Sequence, residues 1–294
     1  MTGQVAVWTM VRDENYFLRL WVNYYSKFLP CEHIFILVDG ADSFLPDGLD
    51  GCQIIVLPKS KIVEGWDERR WQFLSHFASA LATRFDVVLG GDVDELVVLD
   101  PKVGLNPITY ILERAEGQVI SPFAIEVVHR IDLEPALSLG EPVLGQRRFG
   151  RLNASYCKPC IHRGPIRWSL GQHYADYPEL ILSKDLFLFH LRYLDAELLG
   201  QRQEQRSNRL ATASAEMVAD AAGGGWYRSS DEMQKHLQSF VERGPPEEGG
   251  FRFEWQRERI ERSWKHDEKT GFWRHQRFHN RRTYVIPDRF AGLF

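Results

Sequence analysis

Two carboxylates one residue apart, Asp92 and Asp94, with Glu95 beside them, end an apolar run that reads Phe85-Asp86-Val87-Val88-Leu89-Gly90. Such a pair on one turn repels itself unless something positive lies between. Oxygen ligands suit a hard divalent cation, Mn²⁺ or Mg²⁺. A cation bound through only one or two carboxylates usually completes its shell with water and substrate phosphates, so the cluster points to a phosphate-bearing substrate. Two other apolar runs end on acids. Residues 5–11 run into Arg12-Asp13-Glu14, and residues 33–38 run into Asp39-Gly40-Ala41-Asp42-Ser43.

These acids need elements to hold them. Residues 5–11, 33–38 and 53–57 read as strands buried on two sides, because they are apolar almost throughout. Leu18, Trp21, Val22, Tyr25 and Leu29 recur at helical spacing, which predicts a helix over 16–29 stopped by Pro30. A second helix is predicted over 69–84, with Leu74, Phe77, Ala78 and Leu81 as its core stripe. The resulting order, β-α-β-β-α-β within a hundred residues, predicts an α/β fold: a Rossmann-type, mostly parallel sheet flanked by helices. In a parallel sheet all three acidic ends share one edge, the edge where ligands bind.

Past Asp100 the pattern loosens. A short helix is expected over 108–116, and two strands over 118–123 and 124–129, broken at Pro122. Residues 135–180 read as loops and short strands around a cleft, and 186–191 as a strand. A polar helix over 195–222 ends at Gly223-Gly224-Gly225, another helix covers 230–241, and 244–250 reads as a linker. The expected organisation is a catalytic domain over 1–195, divided at about residue 100, with a mainly helical C-terminal extension over 196–294.

The chain has 294 residues, with 44% hydrophobic and 26% charged residues, as a globular protein does. Its net charge of -4 argues against nucleic-acid binding. No secretory leader is visible and no apolar stretch approaches a membrane span, so a cytoplasmic protein with reduced thiols is expected. Its four cysteines do not make a disulfide framework.

Val11-Arg12-Asp13-Glu14 with Leu18 and Trp21, then Phe35 to Ser43, then Arg70-Trp71-Gln72 and Asp92-Val93-Asp94-Glu95-Leu96, resemble the corresponding blocks of family-2-like glycosyltransferases of the GT-A fold. Weaker likenesses follow at Ser155-Tyr156-Cys157-Lys158-Pro159, Gly171-Gln172-His173 and Phe189-His190-Leu191. The resemblance implies a metal-dependent transferase that moves a sugar from a nucleotide-diphosphate donor to a hydroxyl acceptor, such as a glycan or a lipid-linked one, with a UDP-sugar favoured. It implies that Asp92 and Asp94 hold Mn²⁺ or Mg²⁺ against the diphosphate. Asp39 and Glu14 would contact the nucleotide, and Arg70 would pair with phosphate, as a guanidinium can. A late His supplies a third metal ligand in many such enzymes; His190 is the best match and His173 competes. Glu126, Asp176 and Glu95 are the candidates for the base that takes the acceptor proton.

Other readings stay open. A haloacid-dehalogenase-type phosphohydrolase also carries Asp-x-Asp after a strand, but on its first strand, and here several strands precede the motif. A non-catalytic nucleotide- or glycan-binding module is a second alternative. Cys157-Lys158-Pro159-Cys160 reads as a coincidental cysteine pair in which Lys158 is the residue of interest. Trp168, Tyr174 and Tyr177 are candidates to stack on sugars. The Arg- and Trp-rich tail over 251–294 reads as a packed appendage with intrahelical ion pairs, or else as a peripheral membrane contact.

Overall fold

β1 (Val5–Val11) is buried along its length, and its side chains alternate between two cores. Val5 and Val7 face one core with Phe17, Leu18, Trp21 and Val22 of α1 (Asn15–Tyr25); Ala6 and Trp8 face the other with Trp71, Leu74 and Ala78 of α2 (Trp66–Leu81). Period 2 in a strand thus sorts one apolar run onto two helical layers. The computed structural model describes residues 4–210, 229–249 and 251–294.

β1 pairs in parallel with β2 (Ile34–Asp39) and β4 (Val87–Gly91), and β2 with β3 (Gln53–Leu57). This is the parallel unit expected from the sequence. Beyond β4 the sheet continues through β8 (Ile161–His162), β6 (Val119–Val128) and β7 (Phe149–Leu152) to β12 (Tyr284–Val285), while β9 (Leu182–Tyr193) joins β6 to β5 (Glu95–Leu99). The pairings give β1, β2, β3, β4, β6, β9 and β12 one direction, and β5, β7 and β8 the opposite one. The fold is therefore mixed α/β with a mostly parallel central sheet flanked by helices.

Several elements differ from the sequence reading. Residues 119–128 form one strand, not two: Pro122 sits at a register shift between Ser121 and Phe123, where a missing N–H is tolerated. Residues 95–99 form a strand, since Leu96 to Leu99 are buried on both faces. α1 ends at Tyr25, short of Leu29. α4 (Ala196–Leu210) is the expected polar helix; the rest of that expectation and the three-glycine break lie outside the described residues. α5 (Ser230–Glu242) starts on a capping box between Ser229 and Glu232. Among its described residues the extension holds three helices, α4, α5 and α6 (Glu254–Arg262). Beyond it the chain makes a hairpin of β10 (Lys265–Asp267) and β11 (Phe272–Arg274), and then adds β12 to the main sheet. Phe290 and Phe294 finish in the main core, against Phe189.

Candidate functional site at the strand ends

The C-terminal ends of the parallel strands surround a cavity of about 520 Å³. Five carboxylates line it: Glu14, Asp39, Asp67, Asp92 and Asp94. Seven cations line it too: Arg12, Arg70, Lys158, Arg192, Arg202, Arg206 and Arg277. The three acidic strand ends are thus brought together, as the parallel order required.

Asp92 follows β4 directly. Lys158 Nζ donates to its Oδ2 at 3.2 Å, and Arg70 Nη2 to its Oδ1 at 3.4 Å. Lys158 reaches this place because β8 runs antiparallel to β4, so the segment preceding β8 passes the end of β4. Its Nζ also lies 2.6 Å from Glu95 Oε1. Burial depresses an ammonium's pKa, but Glu95 and Asp92 outweigh burial and hold Lys158 charged. Glu95 is pushed up to about 7 by burial, with Lys158 opposing.

Asp94 Oδ2 accepts from Arg202 Nη1 at 2.7 Å and lies 3.8 Å from His190 Nε2. Burial alone would raise the pKa of Asp94; Arg202 and then His190 carry it well below the ordinary carboxylate range. The other side of the same guanidinium binds Glu14, with Nε and Nη2 donating to Oε1 at 3.0 and 2.7 Å. Its Cζ lies over the Phe17 ring, 4.2 Å from the ring centroid. Arg202, Gln205 and Arg206 all line the cavity, at the i, i+3, i+4 spacing of one helical face. That face of α4 looks onto the cavity. Asp195 fixes its start by accepting from the backbone N–H of Glu197 and Leu198 and from Arg147.

A buried row of charge backs the site. In register, Glu95 on β5 pairs with His190 on β9, His190 with Glu126 on β6, and Glu126 with Arg151 on β7. Paired residues point to one face. Arg151 Nε donates to Glu126 Oε2 at 2.7 Å, and His190 Nδ1 is 3.5 Å from Glu126 Oε1. Burial raises the Glu126 pKa, but Arg151 and His190 outweigh it and hold it down at about 2. Tyr156 stacks on His190 with ring centroids 4.0 Å apart.

Of the other expected site residues, Asp39 is buried beside β1 and accepts from Ser60 N at 2.6 Å. Arg70 lies over the rings of Trp71 and Trp66 and bonds Asp67. His173 lines the cavity; burial drives its pKa down to about 3, and its Nδ1 bonds Ser155 O at 2.7 Å. The three base candidates do not line the cavity. Glu95 stands behind Lys158 and Glu126 behind His190, while Asp176 lies away from the site, accepting from Arg167 N in a partly exposed turn. Trp168 and Tyr174 are core residues, and the aromatic walls are Trp66, Trp71 and Tyr156 instead. Cys157 and Cys160 are free and buried in the core. Sequence reasoning missed Asp67, Arg192, Arg202 and Arg206. The available signal was a pair of arginines four apart on an otherwise polar helix.

Among the described residues no group of three or more His, Cys, Asp or Glu side chains stands close enough to hold a metal ion. No helix among them is long and apolar enough to cross a membrane.

No family model matches the chain, and no curated protein matches it. Among solved structures it is similar to the mannosyltransferase PcManGT from Pyrobaculum calidifontis in complex with GDP-Man and Mn2+. The TM-score is 0.33 and the identity 10%, over 82% of this chain and 70% of that one.

Proposed function

We propose that the protein is a glycosyltransferase that takes a sugar from a nucleoside-diphosphate sugar and gives it to a hydroxyl acceptor. One observation supports this above the others. A single cavity at the C-terminal strand ends carries five carboxylates and seven cations, so it suits an anion and still offers oxygen ligands. The likeness of residues 5–100 to family-2-like transferases points the same way.

In the transfer, the acceptor oxygen bonds to the anomeric carbon and gives up its hydroxyl proton to water, and the bond from that carbon to the diphosphate breaks. The electron pair leaves on the diphosphate. Arg70 and Lys158, already converging on Asp92, are placed to receive that charge, and their positions are fixed before reaction by Asp67 and Glu95. Trp66, Trp71 and Tyr156 provide apolar faces for the sugar. Asp39 and Glu14 face the nucleotide.

A divalent cation fits the donor set in part. His190 turns Nδ1 toward Glu126 and Nε2 toward Asp94, the carboxylate–histidine arrangement that metal-bound imidazoles adopt. Asp94 and His190 would be its two protein ligands, and diphosphate oxygens and water would have to complete its shell. Mn²⁺ or Mg²⁺ there supplies Lewis-acid neutralisation of the leaving diphosphate.

The test is turnover of a panel of sugar nucleotides with Mn²⁺ or chelator, by the wild type and by the Asp92→Asn/Asp94→Asn double variant. Loss of about 10²–10³ in rate with the fold retained is expected, the scale set by removing preorganised charge stabilisation. Equal turnover by the double variant in chelator would overturn the reading.

A further inference from the structure

β3 is the last strand at its end of the sheet, and among the described residues no strand pairs with its outer edge. Gly40 N donates to Leu57 O at 2.9 Å, so Leu57 turns its backbone polar groups toward β2. Backbone direction alternates along a strand, so Gln53 and Ile55 face β2 as well, and Ile54 and Val56 hold their N–H and C=O groups outward. An edge of this kind is a template for another strand, and natural edges guard against it with a lysine, a proline or a bulge. Residues 53–57 read Gln-Ile-Ile-Val-Leu in unbroken register with β2 and hold none of these.

The side chains repeat the message. Ile55 and Leu57 lean into the core beneath α2. Ile54 and Val56 share the opposite face by period 2, and they are 40% and 52% exposed. Phe73 of α2 is 41% exposed and borders the same cavity wall as Leu57, so the apolar surface continues past the strand.

We propose that this edge is an interface with a second copy of the chain, the two β3 strands running antiparallel about a twofold axis at Ile55. In that register Ile54 of each copy lies opposite Val56 of the other. These are the residues whose backbone groups point outward, so each opposed pair exchanges two hydrogen bonds. The same register brings the exposed Ile54 and Val56 side chains together in two cross-strand pairs. Charge fits too. Asp47 and Asp50 precede the strand, Lys59 and Lys61 follow it, and all four are exposed. Antiparallel pairing sets each copy's acids toward the other's lysines, whereas parallel pairing would set acid beside acid. A self-complementary edge closes at two copies and leaves no free end for a third. One short strand with its flanks is a small interface, so the association is weak and reversible.

The test is sedimentation velocity of the full chain between about 1 and about 300 µM, with amide hydrogen exchange at both ends of that range. The mean mass should rise from one chain toward two and stop there, and exchange at Ile54 and Val56 should slow about fivefold or more at the high end. Val56→Lys gives the edge the charge that natural edges carry. It should remain one chain throughout, with an unchanged melting temperature at low concentration, because Val56 is half exposed. Asp50→Lys and Lys61→Asp should each weaken pairing about threefold, and the two changes in one chain should restore it. A mass of one chain at every concentration would overturn the proposal, as would growth past two chains or dimers of undiminished exchange at Ile54 and Val56. Pairing by Val56→Lys at the wild-type level, or no recovery in the charge-swapped chain, would overturn the antiparallel β3 contact.

Discussion

The two halves of the molecule bring different charges to one cavity: the first brings all of its carboxylates together with Arg12 and Arg70, the second brings cations alone. Every carboxylate on its wall comes from the first hundred residues: Glu14, Asp39, Asp67, Asp92 and Asp94. The later chain brings Lys158, Arg192, Arg202, Arg206 and Arg277, and no lining acid. The first half delivers its acids by strand topology, each at or just past the end of a parallel strand or on the first turn of a helix. The second half delivers its cations by packing, from a loop, a strand, a helix and a tail that meet only in the folded protein. The acids can lie close together because five of the seven lining cations come from elsewhere in the chain.

The largest expected effect tests that dependence. Lys158 is 1% exposed and stands between Asp92 and Glu95. Lys158→Met leaves the buried Glu95 and the half-buried Asp92 without their shared ammonium, and breaking a buried pair costs about 3–5 kcal/mol. Urea unfolding measures it, and the loss should depend on pH. The Glu95 pKa is raised from 4.5 to about 7 in the folded protein, by burial that Lys158 partly offsets. An acid raised on folding contributes stability that is fully present below its unfolded pKa and is lost as pH rises through the folded value. Without Lys158 the folded value climbs further, so the deficit should be larger at pH 8 than at pH 5. A deficit independent of pH would break the account of Glu95.

A smaller effect is expected where the first half is held by shape alone. A Cβ at Gly90 would fall 2.2 Å from the Trp8 indole, which packs flat over that glycine at the end of β4. Gly90→Ala should cost about 1–3 kcal/mol by overpacking, read by the same urea curves without the pH dependence. The smallest effect belongs to the tail. Arg262 pairs with Glu258 one turn back at 2.9 Å, with both side chains exposed. Glu258→Ala should change stability by no more than about 0.5 kcal/mol in thermal unfolding.

The same division explains what the sequence made legible. The runs that became β1, β2 and β4 are apolar throughout, and their terminal acids stand out against them, so the parallel unit and the shared edge could be read directly. Asp92, Asp94, Asp39 and Glu14 were found that way. Lys158 was visible only as a member of a short motif, and Arg202 and Arg206 only as two arginines four apart on a helix. A helix with so few apolar residues gives little hint of which polar face meets a cavity. Glu126 and His190 each stood alone in an apolar strand; that marked them as unusual, but only the register of β5, β9, β6 and β7 shows them aligned behind the site. Pro122 suggested a strand break where the sheet absorbs it as an irregularity, because a two-residue view cannot see the neighbouring strand.

The central claim is that a nucleoside diphosphate and a divalent cation share the cavity over Asp92 and Asp94. Calorimetric titration of the full chain with UDP, GDP and the other nucleoside diphosphates in Mn²⁺ tests it most directly, beside the Asp92→Asn/Asp94→Asn variant. At least one nucleotide should bind to the wild type, with loss of about tenfold or more in the variant while its melting transition remains. Absence of binding by every nucleotide, or equal binding by the variant, would contradict the account.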